Sequence, residues 1–227
     1  MKALKYRYEL KHVISEGDAL ITGRRLSGIL PRDQSAGSDG QYHIRSLYFD
    51  TPEDRALYDK IDGIPIKEKF RIRFYNHDPD FIRLEKKIKH FNHGFKEKAR
   101  LQKEEVQWIL HGDTSFLANS EQALLRHFYV KLRTERLAPK TVVDYRREAY
   151  YFPPGNVRVT IDRDIRASVT SLDIFDNDLP SVPVLDGRCV LEVKYDEFLP
   201  DFIQDLIQLN KCTSAALSKY AACRAYM

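Results

Sequence analysis

Lysine and arginine recur at every second position in several stretches of this 227-residue chain. In Phe70-Arg71-Ile72-Arg73-Phe74 the two guanidiniums would fall on one side of a strand and the apolar side chains on the other, because side chains alternate faces along extended backbone. The same parity aligns Lys96, Lys98 and Arg100 opposite Phe95, Ala99 and Leu101, and it puts Glu85, Lys87 and Lys89 together. Arg7, Glu9 and Lys11 form another row, as do Tyr145 with Arg147, Arg158 with Thr160 and Asp162, and Glu192 with Lys194. The solvated face of an ordinary antiparallel sheet mixes charge signs. Here the rows are dominated by cations, and like charges opposite one another are destabilising unless water or an anion intervenes. A sheet curled with this face inward would enclose a cationic cavity. Arginine forks and lysine ammoniums both suit phosphate oxygens, so the expected guest is a nucleoside triphosphate or a polyphosphate. The few carboxylates would then serve to hold Mg²⁺ or Mn²⁺ against those oxygens.

Other chemistries find little support. There is no GxxxxGK[ST] loop and no GxGxxG after a strand, so phosphate would be bound by side chains. The seven histidines lack HExxH spacing, and no GxSxG elbow suggests a serine nucleophile. Cys189, Cys212 and Cys223 are odd in number and lack CxxC spacing, which reads as reduced, mostly buried thiols. With 43% hydrophobic and 31% charged residues, the composition is that of one folded domain over residues 1–227. No signal peptide and no apolar run of about 18 residues is evident, so a cytoplasmic location is expected. A net charge of +4 does not by itself indicate a nucleic-acid binder. The aromatics are not interleaved with the basic rows as stacking platforms would be, and no nucleic-acid partner is expected.

The elements that must carry these rows follow from periodicity and turn chemistry. Strands are expected over residues 5–14, 42–49, 66–75, 80–89, 95–102, 141–152, 157–167 and 190–195. Ser15 should cap a helix that Pro31 ends, and Thr51-Pro52 should open a short helix through Tyr58. Further helices are expected over 103–110, over 121–136 after Ser120, and in the final segment from Leu199, where Phe202, Ile203, Leu206, Ile207 and Leu209 have helical spacing and the small-residue stretch after them can form another helix. Hairpin connections favour an antiparallel α+β fold over alternating βαβ units.

Taken in order, the motifs RYELKH (7–12), IRSLYFDT (44–51), KFRIRFY (69–75), IRLEKKIK (82–89), KARL (98–101), DYRREAY (144–150), VRVTIDR (157–163), LEVKY (191–195) and SKY (218–220) resemble a known family. It is the polyphosphate polymerase domain of vacuolar transporter chaperone complexes, the VTC domain, within the CYTH-like triphosphate tunnel metalloenzymes. The resemblance covers nearly the whole chain. It implies an eight-stranded antiparallel β-tunnel with helices inserted between strands and a helical carboxyl terminus. Such a tunnel binds the triphosphate of ATP with a metal ion and, in eukaryotic members, transfers the γ-phosphate to a growing polyphosphate chain. Carried over by motif, the basic catalytic positions are Lys11, Arg71, Arg73, Lys87, Arg147, Arg158 and Lys219, and Lys98 is a further basic tunnel position. The metal-binding glutamate falls on Glu192, with Glu85 as a further candidate, while Tyr145 and Ser218 add polar phosphate contacts. Glu9 and Lys194 complete the expected phosphate-binding set.

Two departures stand out. Position 7 is Arg where the wider superfamily has an acidic residue, and Ala215-Ala216-Leu217 stands where polymerase relatives place another lysine. The 227 residues are not expected to include the regulatory or membrane-spanning parts of the eukaryotic assemblies, so export of a product would need a separate membrane partner. Two other activities fit the same residues. One is hydrolysis of tripolyphosphate or a nucleotide, with water as acceptor; the other is non-catalytic sensing of polyphosphate or nucleotide.

Overall fold

The computed structural model describes residues 7–34, 36–91, 93–208, 213–214 and 217–225. The strands are β1 (Tyr8–Ile14), β2 (Gln41–Asp50), β3 (Ile66–Tyr75), β4 (Asp78–His90), β5 (His93–Leu101), β6 (Ala138–Phe152), β7 (Val157–Ser168), β8 (Ser181–Pro183), β9 (Cys189–Tyr195) and β10 (Thr213–Ser214). The helices are α1 (Glu16–Ser27), α2 (Arg55–Ile61), α3 (Lys103–Leu110), α4 (Ser115–Ala118), α5 (Ala123–Thr134), α6 (Asp201–Ile207) and α7 (Lys219–Arg224). The fold is antiparallel α+β, with strand order β10-β1-β9-β7-β6-β2-β3-β4-β5 and β8 on β7. Two details differ from the expected eight-stranded tunnel. The short β8 and β10 bring the count to ten, and among the described residues the strand path is open at β5 and β10 instead of closing on itself.

The chain divides into two compact units, residues 1–43, 145–165 and 183–217 in the first and 44–144, 166–182 and 218–227 in the second. In the first, β1 pairs with β9 and β9 with β7, all antiparallel. Their inward parity packs Val157, Val159, Ile161, Leu191 and Val193 against Ala19 and Leu26 of α1 and Ile203 of α6. Ser15 caps α1 as expected, its hydroxyl accepting from the Asp18 amide at 3.0 Å. The turn after β6 requires Gly155, which sits at φ 69°, where a Cβ would lie 2.9 Å from the Phe198 carbonyl.

In the second unit, β2, β3, β4 and β5 form an antiparallel meander. The β3–β4 connection is tighter than expected. Tyr75 faces Asp78, and the two loop residues Asn76 and His77 both have positive φ, as a type I′ turn demands. One face of the meander carries Phe70, Ile72, Phe74, Ile82, Leu84, Ala99 and Leu101, which pack on Val106 and Ile109 of α3 and on Leu124, Leu125 and Phe128 of α5. Each fully buried side chain of this size contributes about 1.5–3 kcal/mol.

Helix α2 begins at Arg55, not at Thr51. The cause is Asp50, whose carboxylate accepts from the amides of Thr51, Ala56 and Leu57 at 2.8–3.1 Å and so takes the capping role itself. The helix expected over 121–136 starts at Ala123 after Gln122, and Ser120 instead accepts from the Gln122 amide at 3.2 Å. The final segment forms two helices, α6 and α7, as its helical spacing and the small-residue stretch after it suggest, with part of the intervening segment outside the described residues. Cys189 and Cys223 are buried free thiols, and Cys212 lies outside the described residues. No helix among the described residues is long and apolar enough to cross a membrane.

Candidate functional site

In the second unit the parity of β3, β4 and β5 separates core from charge. The face opposite the core carries Lys67, Lys69, Arg71 and Arg73 from β3, Arg83, Glu85, Lys87 and Lys89 from β4, and Lys96, Lys98 and Arg100 from β5. Register brings like charges together: Lys69 faces Lys87, and Lys87 faces Lys96 on the next strand. Glu85 is the one acid in these rows.

Glu85 is 1% exposed and anchors the cluster. Its Oε2 accepts from Arg71 Nε at 2.8 Å and Nη2 at 2.6 Å, and its Oε1 accepts from Lys96 Nζ at 2.6 Å. Arg73 Nη1 lies 4.0 Å from the same carboxylate, while its Nε donates to Ser46 at 2.8 Å. Burial alone would raise the Glu85 pKa, but Arg71, then Arg73 and Lys96, outweigh it and hold the group well below the usual carboxylate range. Lys96 answers in the opposite sense. Burial, followed by the charge of Arg71, lowers it to about 7 even against Glu85, although 36% of its side chain still meets solvent.

Strand β2 supplies residues that period-two reading of the basic rows did not single out. Ser46 and Tyr48 stand opposite Arg73 and Arg71, so they share the charged face. The Tyr48 hydroxyl accepts from Arg71 Nη1 at 2.9 Å, and its ring stacks on Tyr220 of α7 at 5.2 Å. Burial would raise the Tyr48 pKa, yet Arg71, Arg73 and Lys219 bring it down to about 8. Ser218 caps α7 through the Ala221 amide at 3.4 Å, and its hydroxyl lies 3.5 Å from Lys69 Nζ. The Tyr220 hydroxyl donates to Asp50 at 2.6 Å.

Of the positions carried over by resemblance, Arg71, Arg73, Lys87, Lys98, Ser218 and Lys219 lie in this unit. Lys98 stands opposite Glu85 in register, but the ion pair is made by Lys96. Glu85, held by cations on both oxygens, acts as their counter-charge.

The other positions lie in the first unit. Glu9 faces Lys194, Lys11 faces Glu192, and Arg158 and Thr160 face Lys194 and Glu192 from β7. Lys11 Nζ is 2.5 Å from Glu9 and 3.7 Å from Glu192, and Lys194 also contacts Glu192. Arg158 donates to Asp33 at 2.7 Å and to the Tyr42 hydroxyl at 2.9 Å. Arg147 stands apart from the rest. Its Nε and Nη2 donate to the two oxygens of the fully buried Asp162 at 2.6 and 2.7 Å, and its guanidinium lies 5.4 Å from the Tyr145 ring centroid. That bidentate pair engages one edge of the fork in a structural bond.

Among the described residues, no cluster of three or more His, Cys, Asp or Glu forms a ready cage for a metal ion. What the described residues offer is the pair Glu9 and Glu192 converging on Lys11, together with the buried Thr160 hydroxyl, which has no hydrogen-bond partner among them. One or two carboxylates suit Mg²⁺ when phosphate oxygens and water complete its octahedron. The donor set therefore fits a phosphate-linked ion.

The family model described as VTC domain matches residues 6–227. No curated protein matches the chain. Among solved structures, a candidate adenylate cyclase from Bacillus halodurans is similar at 14% identity and a TM-score of 0.51, covering 90% of this chain and 87% of its own. A Pyrococcus horikoshii protein is similar at 12% identity and a TM-score of 0.42, covering 88% of this chain and 84% of its own. A conserved hypothetical protein from Pyrococcus furiosus is similar at 12% identity and a TM-score of 0.42, with coverage of 88% and 85%. At such identities the likeness concerns fold alone, and the first of them agrees with the antiparallel α+β arrangement.

Proposed function

The chain belongs to the VTC domain family, and from that premise we propose that it is a metal-dependent polyphosphate polymerase, moving the γ-phosphate of ATP onto a growing polyphosphate chain. The observation that carries this reading is the face of β3, β4 and β5, where rows of Lys and Arg surround the lone carboxylate of Glu85. Such a face carries excess positive charge in a partly desolvated setting, which favours a multiply charged anion. Arg71, Arg73, Lys96 and Lys87 would neutralise phosphate oxygens, with Tyr48 and Ser218 adding polar contacts. Lys98 and Lys219 extend the same cationic surface. Lys11, Arg158 and Lys194 are the candidate phosphate contacts of the other unit.

Glu192, with Glu9 beside it, would hold Mg²⁺ or Mn²⁺. When bound, that ion supplies charge neutralisation and orientation of phosphate oxygens. The acceptor of a polymerase is itself a phosphate oxygen, ionised near neutral pH, so the transfer requires no side-chain base. Positioning and electrostatic stabilisation are what these residues contribute.

The test is to incubate the purified protein with ATP and Mn²⁺ and resolve products by gel and by ³¹P NMR. Long-chain polyphosphate with ADP is the expected result. Orthophosphate alone would replace the polymerase by a triphosphatase, and tight binding without turnover would replace it by a sensor. Glu192→Ala should abolish metal-dependent turnover while leaving the fold intact; normal turnover in that variant refutes the metal assignment.

A further inference from the structure

Lys69 lies on the charged face two residues before Arg71, opposite Lys87 in register, and opens the KFRIRFY motif without being among the site positions carried over from it. Its ammonium has no carboxylate within ion-pair distance among the described residues. It lies 3.5 Å from the Ser218 hydroxyl and 5.0 Å from the centroid of the Tyr220 ring. The nearest acid on β2, Asp50, is already engaged by three backbone amides and the Tyr220 hydroxyl. Tyr48 on β2, Lys67 on its own strand and Lys60 on α2 also act on it electrostatically, and Asp59 of α2 lines the same cleft. A lysine placed among cations and neutral hydroxyls, with the local carboxylate committed elsewhere, lacks the partner that a half-buried ammonium ordinarily has.

We infer that Lys69 is a phosphate-binding residue, completing with Ser218 a subsite for the phosphoryl group next to the one held by Arg71. The inference rests on the reading of this face as a polyphosphate site and adds a residue and a subsite to it. Its electrostatics agree with the geometry. Burial, and then the positive charges of Lys67 and Lys60 working against Tyr48 and Asp50, lowers the Lys69 pKa to about 8. An incoming anion supplies the missing counter-charge and raises it again, so binding draws a proton from solution.

The experiment is titration calorimetry of tripolyphosphate into the full chain at pH 8.5. Repeating it in two buffers of different ionisation enthalpy counts the protons taken up. The native protein should bind with net proton uptake. Lys69→Ala should bind about tenfold more weakly and take up fewer protons; Lys69→Arg, whose charge does not titrate, should keep the affinity and lose the same share of uptake. Thermal melts of both variants guard against a folding defect. Native affinity and native uptake in Lys69→Ala, alongside weakened binding in Arg71→Ala, would overturn the Lys69 subsite and leave the wider reading standing. Absence of tripolyphosphate binding by the native chain would overturn both.

Discussion

The carboxylate of Glu85 bridges Arg71 and Lys96, accepting at 2.6 Å on each of its two oxygens. The one acid of the β3–β4–β5 rows thus stands where a ligand phosphate could also act, as a fixed anion among cations. Glu85→Gln removes that anion and leaves Arg71, Arg73 and Lys96 facing one another. We expect a loss of about 2 kcal/mol of stability, between the values for exposed and fully buried pairs. Tripolyphosphate should raise the melting temperature of the variant by more than it raises that of the native protein, since an added anion replaces the missing charge. Thermal melts with and without the ligand decide the point, and equal shifts would contradict the bridging role.

The lowered lysines make a prediction about pH. Folding lowers Lys96 to about 7 and Lys69 to about 8 from the ordinary 10.5, so in this range the folded chain binds fewer protons than the unfolded one. Stability therefore rises as pH increases through that interval. Tyr48, lowered to about 8 from 10.0, acts in the same direction. The buried thiols of Cys189 and Cys223, raised to about 12 from 9.0, act in the opposite sense at higher pH. Denaturant midpoints should accordingly increase from pH 7 to about pH 8.5 in ligand-free protein, and the increase should shrink in Lys96→Met. A flat profile would mean that Lys96 keeps an ordinary proton affinity.

Arg147 makes a separate case. Its partner Asp162 is fully buried, so Arg147→Ala strands a carboxylate in the interior and should cost about 3–5 kcal/mol. Urea denaturation measures that loss directly. A variant as stable as the native protein but without turnover would instead give Arg147 a direct part in phosphate handling.

Asp50 should behave as a local clasp. Asp50→Ala removes the acceptor for the Ala56 and Leu57 amides and for the Tyr220 hydroxyl. The start of α2 should fray, at a cost of about 1–2 kcal/mol for the cap alone. Amide hydrogen exchange at Ala56 and Leu57 should accelerate while the amides of Ile72 and Leu84 keep their protection. Unchanged exchange at both amides would show that another group caps the helix.

The strands and the charged parity were legible in the sequence because alternation writes both the core and the charged face into the same stretch. Phe70-Arg71-Ile72-Arg73 declares its two faces without reference to anything else. Lys69 and Tyr48 were harder to see. Tyr48 sits in the mostly apolar run Tyr42 to Phe49, where its place on the charged face depends on pairing with β3, a relation between distant segments. Lys69 became distinctive through what surrounds it: Asp50 turned away to cap α2, and Ser218 arrived from the far end of the chain. Arg147 shows the converse. Its place in the row was plain from spacing, but its bidentate bond to Asp162 depends on the neighbouring strand.

The alternation of β4 has one more consequence, which concerns how such a sequence can change. Leu84 is core, Glu85 bridges two cations, and Lys86 is already back on the core side, where it lies 5.8 Å from the Phe70 ring centroid. Inserting a single residue in this strand would exchange the two sides from that point onward, exposing the apolar set and burying cations together. Stability and anion binding would fail in one step. Insertions of two residues preserve the alternation, so length variation in this region should be tolerated in pairs or confined to the hairpin turns.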